Sequence, residues 1–137
     1  MSLVLDASLT LSWYFEDERT LAADALLDRV TNTGAVVPSI WRVETANGFQ
    51  MAIRRQRVDS GFRDRALFEL ARLPIAVDPE SDAYVWTTTL QLADRYQLTV
   101  YDAVYLELAQ RRALPLATLD GALRSAAASL GLTLLGA

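Results

Sequence analysis

Short, wholly apolar segments that stop at an acid or a proline, alternating with longer amphipathic stretches, narrow the folds open to this chain more than any other feature. Leu3-Val4-Leu5 stops at Asp6, and Ala35-Val36-Val37 stops at Pro38. Ile75-Ala76-Val77 follows Pro74, Leu114 to Thr118 ends near Asp120, and Thr133-Leu134-Leu135 comes last. A strand with no polar alternation is covered on both faces, which is the signature of a parallel sheet between helical layers. The intervening stretches have helical character. Ser8 is placed to cap a short helix reaching residue 15, and a second helix over 20–30 carries Leu21, Ala25, Leu26 and Val30 on one stripe. Residues 31–34 read as a turn. Ser39 is the expected cap of a long helix over 40–55, and Ser60 of one reaching residue 72. Ser81 opens a helix to residue 96, Thr99 opens one over 100–112, and Gly131 stops one over 121–130. Strand and helix in alternation, with two helical hairpins inserted, predict an α/β fold: a three-layer α/β/α sandwich on a mainly parallel central sheet. The 137 residues contain no repeat, low-complexity tract or linker, so a single domain over 1–137 is expected. A chain of this size buries about two-thirds of its unfolded surface and needs no metal or disulfide to fold.

What the chain lacks restricts its chemistry. The 13 cations are all Arg, and Lys, His and Cys are absent. There is then no imidazole base, no Ser-His-Asp triad, no thiol nucleophile, no zinc finger, no Walker A lysine and no Schiff base. Carboxylates without imidazoles or thiols favour hard divalent cations such as Mg²⁺ or Mn²⁺. No apolar run approaches the roughly 20 residues that span a bilayer, and no basic leader precedes an apolar core. The expected location is the cytoplasm, with no membrane partner.

Most acids, including Asp17, Glu18, Asp24, Asp28, Glu69, Asp94 and Glu107, fall at polar helix positions and read as solvated. Four do not. Asp6 and Asp120 follow the carboxyl ends of predicted strands, where open parallel sheets place ligands, although each also fits a helix cap. At about 100° per residue, Glu44 shares a mainly apolar stripe with Ile40, Trp41, Gly48 and Met51, with Asn47 one turn later. Asp102 lies in the first turn of a helix whose apolar stripe includes Tyr105, Leu106 and Ala109, a place where a helix N-terminus also welcomes an acid. One sheet edge can gather all four, and without compensation they would repel and raise each other's pKa values. One or two divalent ions would offset that repulsion. Ser8 and Thr118 stand where they can orient a carboxylate or a water.

In order, Asp6-Ala7-Ser8, Glu44-x-x-Asn47, Tyr101-Asp102-Ala103-x-Tyr105-Leu106-x-Leu108-Ala109 and Thr118-Leu119-Asp120-Gly121-x-Leu123 resemble the PIN-domain family, most of all the VapC-type ribonuclease toxins of prokaryotic toxin–antitoxin pairs. The likeness runs from Leu3 to Gly131-Leu132-Thr133. It implies a Mg²⁺- or Mn²⁺-dependent endoribonuclease on a three-layer α/β fold. It places the catalytic, metal-binding acids at Asp6, Glu44, Asp102 and Asp120, and the supporting polar positions at Ser8, Asn47 and Thr118. It also implies an RNA substrate, a homodimer, a cognate antitoxin protein, and operator DNA bound only through the antitoxin complex.

The charge sits awkwardly with RNA binding, since the formal net charge is −4. Arg54, Arg55 and Arg57, and separately Arg111 and Arg112, are the candidate phosphate contacts; each cluster also fits a solvated helix C-terminus. Trp13, Trp41 and Trp86 read as core before they read as base-stacking residues. Two other functions fit parts of the pattern: a catalytically inert PIN-fold module that binds protein or RNA, and an aspartyl-phosphate phosphotransferase with Asp6 as nucleophile. The second lacks the further Asp two residues on that haloacid-dehalogenase-like enzymes carry.

Overall fold

A computed structural model describes residues 2–137. Five short strands, β1 (Val4–Leu5), β2 (Ala35–Val37), β3 (Ile75–Val77), β4 (Leu116–Ala117) and β5 (Leu134–Leu135), form one sheet in the order β3-β2-β1-β4-β5. All four pairings are parallel. Seven α-helices cover it: α1 (Ala7–Ser12), α2 (Leu21–Thr33), α3 (Ile40–Arg54), α4 (Ser60–Ala71), α5 (Leu90–Tyr96), α6 (Val100–Arg112) and α7 (Gly121–Ser129). This is the three-layer α/β/α architecture on a parallel sheet that the apolar runs predicted. Leu3, Val4, Leu5, Leu116 and Ala117 are wholly buried, as strands packed on both faces must be.

The strand order decides where a ligand can sit. From β1 the chain builds outward through β2 to β3, then returns to lay β4 on the other side of β1. Connections leave in opposite directions at β1 and β4, and the crevice beyond their carboxyl ends is the topological switch point. The Asp6 amide donates to Ala117 O at 3.0 Å, so residues 6 and 118 emerge side by side.

Several helix starts differ from expectation. Asp6, not Ser8, occupies the N-cap position of α1, and its side chain makes no capping hydrogen bond. Ser39 is already helical in backbone and its Oγ donates to Asp82 Oδ1, so it does not cap α3. Asp59 replaces Ser60 as the cap of α4, accepting from the Phe62 amide at 2.8 Å. Thr20 caps α2, which continues through the expected turn because the Thr31 and Thr33 hydroxyls bond back to Leu27 O and Arg29 O. The single helix expected over 81–96 is three pieces, a 3-10 turn (Ser81–Tyr84), a π-helical turn (Val85–Thr89) and α5. Ser81 is held by Asp78 at 2.7 Å instead of capping. Trp13 and Trp41 lie in the core, whereas Trp86, on the π-helical turn, is 88% exposed.

Gly34 joins α2 to β2 at φ 81° and ψ 176°, a conformation open to glycine almost alone. A Cβ there would also stand 2.9 Å from Pro74 O, the acceptor for the Ala35 amide. Gly34→Ala is expected to cost about 1–3 kcal/mol, measured as a lower urea midpoint with an unchanged slope. An unchanged midpoint would show that the connection relaxes freely.

Candidate functional site

Asp6 leaves β1 with its carboxylate turned into the switch-point crevice. Its Oδ2 accepts from Ser8 Oγ at 2.8 Å and from Thr118 Oγ1 at 2.6 Å. Thr118, fully buried at the end of β4, also accepts from the Asp120 amide at 3.0 Å, and Ser8 Oγ accepts from the Leu119 amide at 3.3 Å. Two hydroxyls thus lock one carboxylate and brace the loop that carries Asp120. Asp120 does serve as a cap: its Oδ2 accepts from the Leu123 amide at 2.9 Å. Arg124 secures the same loop from below, donating to Thr118 O at 2.8 Å and Leu135 O at 3.0 Å.

The other two acids come from helices. α3 crosses α1 where Gly48 meets the Leu11 side chain, so close that a Cβ would overlap it. Trp41 Nε1 donates to Thr10 Oγ1 at 3.0 Å, and that hydroxyl donates to Asp6 O at 3.1 Å. This crossing brings Glu44, half-buried on α3, toward Asp6. Asp102 stands in the first turn of α6, whose start is capped by Thr99 accepting from the Asp102 amide at 3.2 Å.

The four acids share one electrostatic field. Burial pushes the Asp6 carboxyl above its usual value, against the lowering pull of Thr118 and Ser8. Burial raises Glu44; the Tyr105 hydroxyl opposes it, and negative Asp6 and Asp102 add to the rise. Burial raises Asp102, and Asp120 and Asp6 raise it further. Among the described residues none of the four is in an ion pair with an arginine. Nor do any three acids stand close enough, as the side chains are arranged, to enclose an ion. Closing such a shell takes rearrangement around two anchored carboxylates, Asp6, fixed by its two hydroxyls, and Glu44, held by the Tyr105 hydroxyl. The donor set is entirely carboxylate and hydroxyl oxygen, uncompensated and mutually repelling. That chemistry fits a hard divalent cation and no softer group.

The remaining candidates divide. Asn47 is exposed on α3. Arg54 and Arg55 are exposed at the end of α3. Arg57 folds over the Phe15 ring at 4.7 Å and pairs with Asp17 at 2.6 Å. Arg111 is enclosed by carboxylates: Glu107 at 2.6 Å, Asp78 at 2.7 Å and Glu80 at 3.2 Å. Arg112 lies 3.6 Å from Asp78. The charge of Arg111 is spent inside the protein, which corrects its reading as a phosphate contact. Glu107, expected on a solvated face, is 2% exposed. The reason is that α6 is buried on all sides from Ala103 to Ala109, between the sheet and the neighbouring helices, so its one internal acid had to acquire a cation. Tyr105, which the sequence places on the apolar stripe of its helix, also has a polar part to play: its hydroxyl donates to Glu44 Oε1 at 2.6 Å. Its spacing, one turn after Asp102 on the same helix face, was the available signal.

The model of the PIN domain matches residues 3–129. The chain belongs to the PIN-domain family. This PIN domain is of the VapC type: it is 30% identical over 120 residues to Ribonuclease VapC3 of Pyrobaculum aerophilum, covering 88% of this chain and 90% of that protein. Its fold is shared with two solved structures. PAE2754 from Pyrobaculum aerophilum superposes with a TM-score of 0.68 at 22% identity, over 92% of this chain and 84% of the other. FitAcB from Neisseria gonorrhoeae superposes with a TM-score of 0.67 at 16% identity, over 99% and 97%.

Proposed function

We propose that this PIN domain is a Mg²⁺- or Mn²⁺-dependent endoribonuclease, the toxin of a type II toxin–antitoxin pair. The observation that carries the reading is the group of four uncompensated carboxylates, Asp6, Glu44, Asp102 and Asp120, at the switch point beyond β1 and β4. The kinship with a VapC ribonuclease supports RNA as the substrate and an antitoxin protein as the partner. The family likeness also underlies a homodimer and operator DNA held through the antitoxin, while the length and the lack of any linker or apolar spanning run support a single domain over 1–137 and a cytoplasmic setting. Among the described residues no helix is long and apolar enough to cross a membrane.

Hydrolysis bonds a water oxygen to phosphorus and breaks the bond to the departing sugar oxygen. Four carboxylates alone would repel the phosphodiester, so cleavage needs positive charge that the site's own side chains do not provide. A divalent cation supplies that charge, polarises the phosphate and acidifies water. The chain's part is placement. Asp6, Asp102 and Asp120 present oxygen ligands, with Asp6 aimed by Ser8 and Thr118. Glu44, steadied by Tyr105, would hold the ion directly or through a water. Of the five candidate phosphate contacts, Arg54 and Arg55 are the two in no ion pair among the described residues, and contacts through them would make RNA binding salt-dependent.

The purified chain is expected to melt at a temperature that rises with Mn²⁺, by about 2.7 kcal/mol of stabilisation at 100 times Kd, and to cut RNA with Mg²⁺ or Mn²⁺ but not with EDTA. Undiminished cleavage in EDTA rejects the mechanism. No Mn²⁺ response and no cleavage leave an inert binding module instead.

A further inference from the structure

Helix α6 carries two neighbours of buried or half-buried acids, and the two are chemically opposite. At its carboxyl end Arg111 holds Glu107 at 2.6 Å and cancels its charge. Two turns earlier Tyr105 holds Glu44 at 2.6 Å with a neutral hydroxyl, which orients the carboxylate and cancels nothing. The phenol is costly where it stands. Tyr105 is the largest fully buried side chain among the described residues, at 0% exposure. Phe would fill the same volume with no polar atom to desolvate, so a hydroxyl in that position is tolerated only through its bond. The partner is an acid 61 residues away on another helix, beside Asp6 and Asp102. Tyr105 also follows Asp102 by one turn, so a single helix face delivers both a site carboxylate and the donor that steadies a second one.

We propose that Tyr105 is a positioning residue of the acidic site: its buried hydroxyl fixes Glu44 Oε1, and with it the direction of that carboxylate, while leaving its negative charge for a cation. The role rests on the metal-dependent reading of the site. A neutral donor suits this task better than a cation. An arginine in the same place would satisfy Glu44 as Arg111 satisfies Glu107 and remove the charge that attracts the ion. Partners of this kind, which hold a ligand without touching the metal, typically govern about 10–100-fold in metal affinity.

The test is Mn²⁺ titration of the full chain, followed by thermal melting, for wild type, Tyr105→Phe, Glu44→Ala and the double variant. Tyr105→Phe is expected to keep the wild-type circular dichroism spectrum and to weaken Mn²⁺ binding about tenfold. In the Glu44→Ala background the same change should move Mn²⁺ affinity less than about twofold, because the group it positions is gone. In RNA cleavage Tyr105→Phe should lower kcat with KM unchanged. Wild-type Mn²⁺ affinity in Tyr105→Phe overturns the role, and so does an equal loss in the Glu44→Ala background, which would mark a general packing effect. A wild-type chain that ignores Mn²⁺ overturns the metal reading itself, and Tyr105's role with it; that failure shows before any variant is made.

Discussion

Asp6→Asn is expected to lower RNA cleavage by about 100- to 1000-fold, the scale of losing one preorganised charge-stabilising group, while the protein stays folded. The geometry separates the two effects. Asn retains an oxygen that can accept from Ser8 and Thr118, so the junction between β1 and β4 keeps its hydrogen bonds. What disappears is a buried negative charge. Burial raises the Asp6 pKa in the folded chain, so at neutral pH the ionised carboxylate opposes folding, and that penalty is relieved as pH falls through the folded value. Without metal, the variant should therefore be at least as stable as wild type at pH 7, and wild type should gain on it as pH is lowered. Urea denaturation of both proteins in EDTA at several pH values, beside cleavage assays with Mn²⁺, measures each half. Full activity in Asp6→Asn removes the residue from the site. An unfolded variant would show that its carboxylate is structural. A stabilised, inactive variant is the pattern of a site held at the expense of the fold.

The second large effect is on stability. Arg111→Met is expected to cost about 3–5 kcal/mol, because it strands buried acids without their cation. Glu107 and Asp78 are 2% and 6% exposed, and both bond to this guanidinium, which also lies over the Tyr84 ring at 4.9 Å. Burial tends to raise Asp78, but the hydrogen bonds from Arg111 and Ser81 and the Arg111 charge prevail and hold it below its usual 3.8. A lowered carboxylate pKa contributes stability that is present above the unfolded value and drains as pH falls through the folded one. Wild type should accordingly lose this contribution only below about pH 4, and the gap between wild type and Arg111→Met should narrow there. Chemical denaturation from pH 7 to pH 3 tests this. A variant within about 1 kcal/mol of wild type at pH 7 would show the cluster to be no more than a surface ion pair.

The two experiments separate the two kinds of acid in this chain, and the sequence distinguishes them only in part. Asp6, Glu44, Asp102 and Asp120 stand out because each breaks a local pattern: an acid after an apolar strand, or on an apolar stripe. Glu107 breaks none. It occupies a polar position of a helix that local periodicity leaves half solvated, and only the packing of α6 between sheet and helices buries it. Arg111 fails as a phosphate contact for the same reason, since its partners Asp78 and Glu80 lie more than 30 residues away. The caps err on a smaller scale. Ser39 has cap chemistry, but its hydroxyl found Asp82, 43 positions on, which local sequence does not offer; Ser81 turned back to Asp78, three residues upstream, instead of capping. The broken helix over 81–96 shows neither Pro nor Gly to announce it.

From the amino acids alone came the parallel α/β class, because apolar runs such as Leu3-Val4-Leu5 are covered between two helical layers; the run Ile75-Ala76-Val77 forms an edge strand instead and leaves Ala76 and Val77 exposed. The restriction of any chemistry to oxygen ligands came the same way, because no imidazole, thiol or amine side chain exists to offer another. Tertiary structure alone decided which strand lies beside β1, and hence that Thr118 reaches Asp6 across 112 positions, that Tyr105 meets Glu44, and which acids are neutralised. Those pairings join residues far apart in the chain. Their energies depend on burial and on the direction of a side chain after packing, and no local periodicity encodes either.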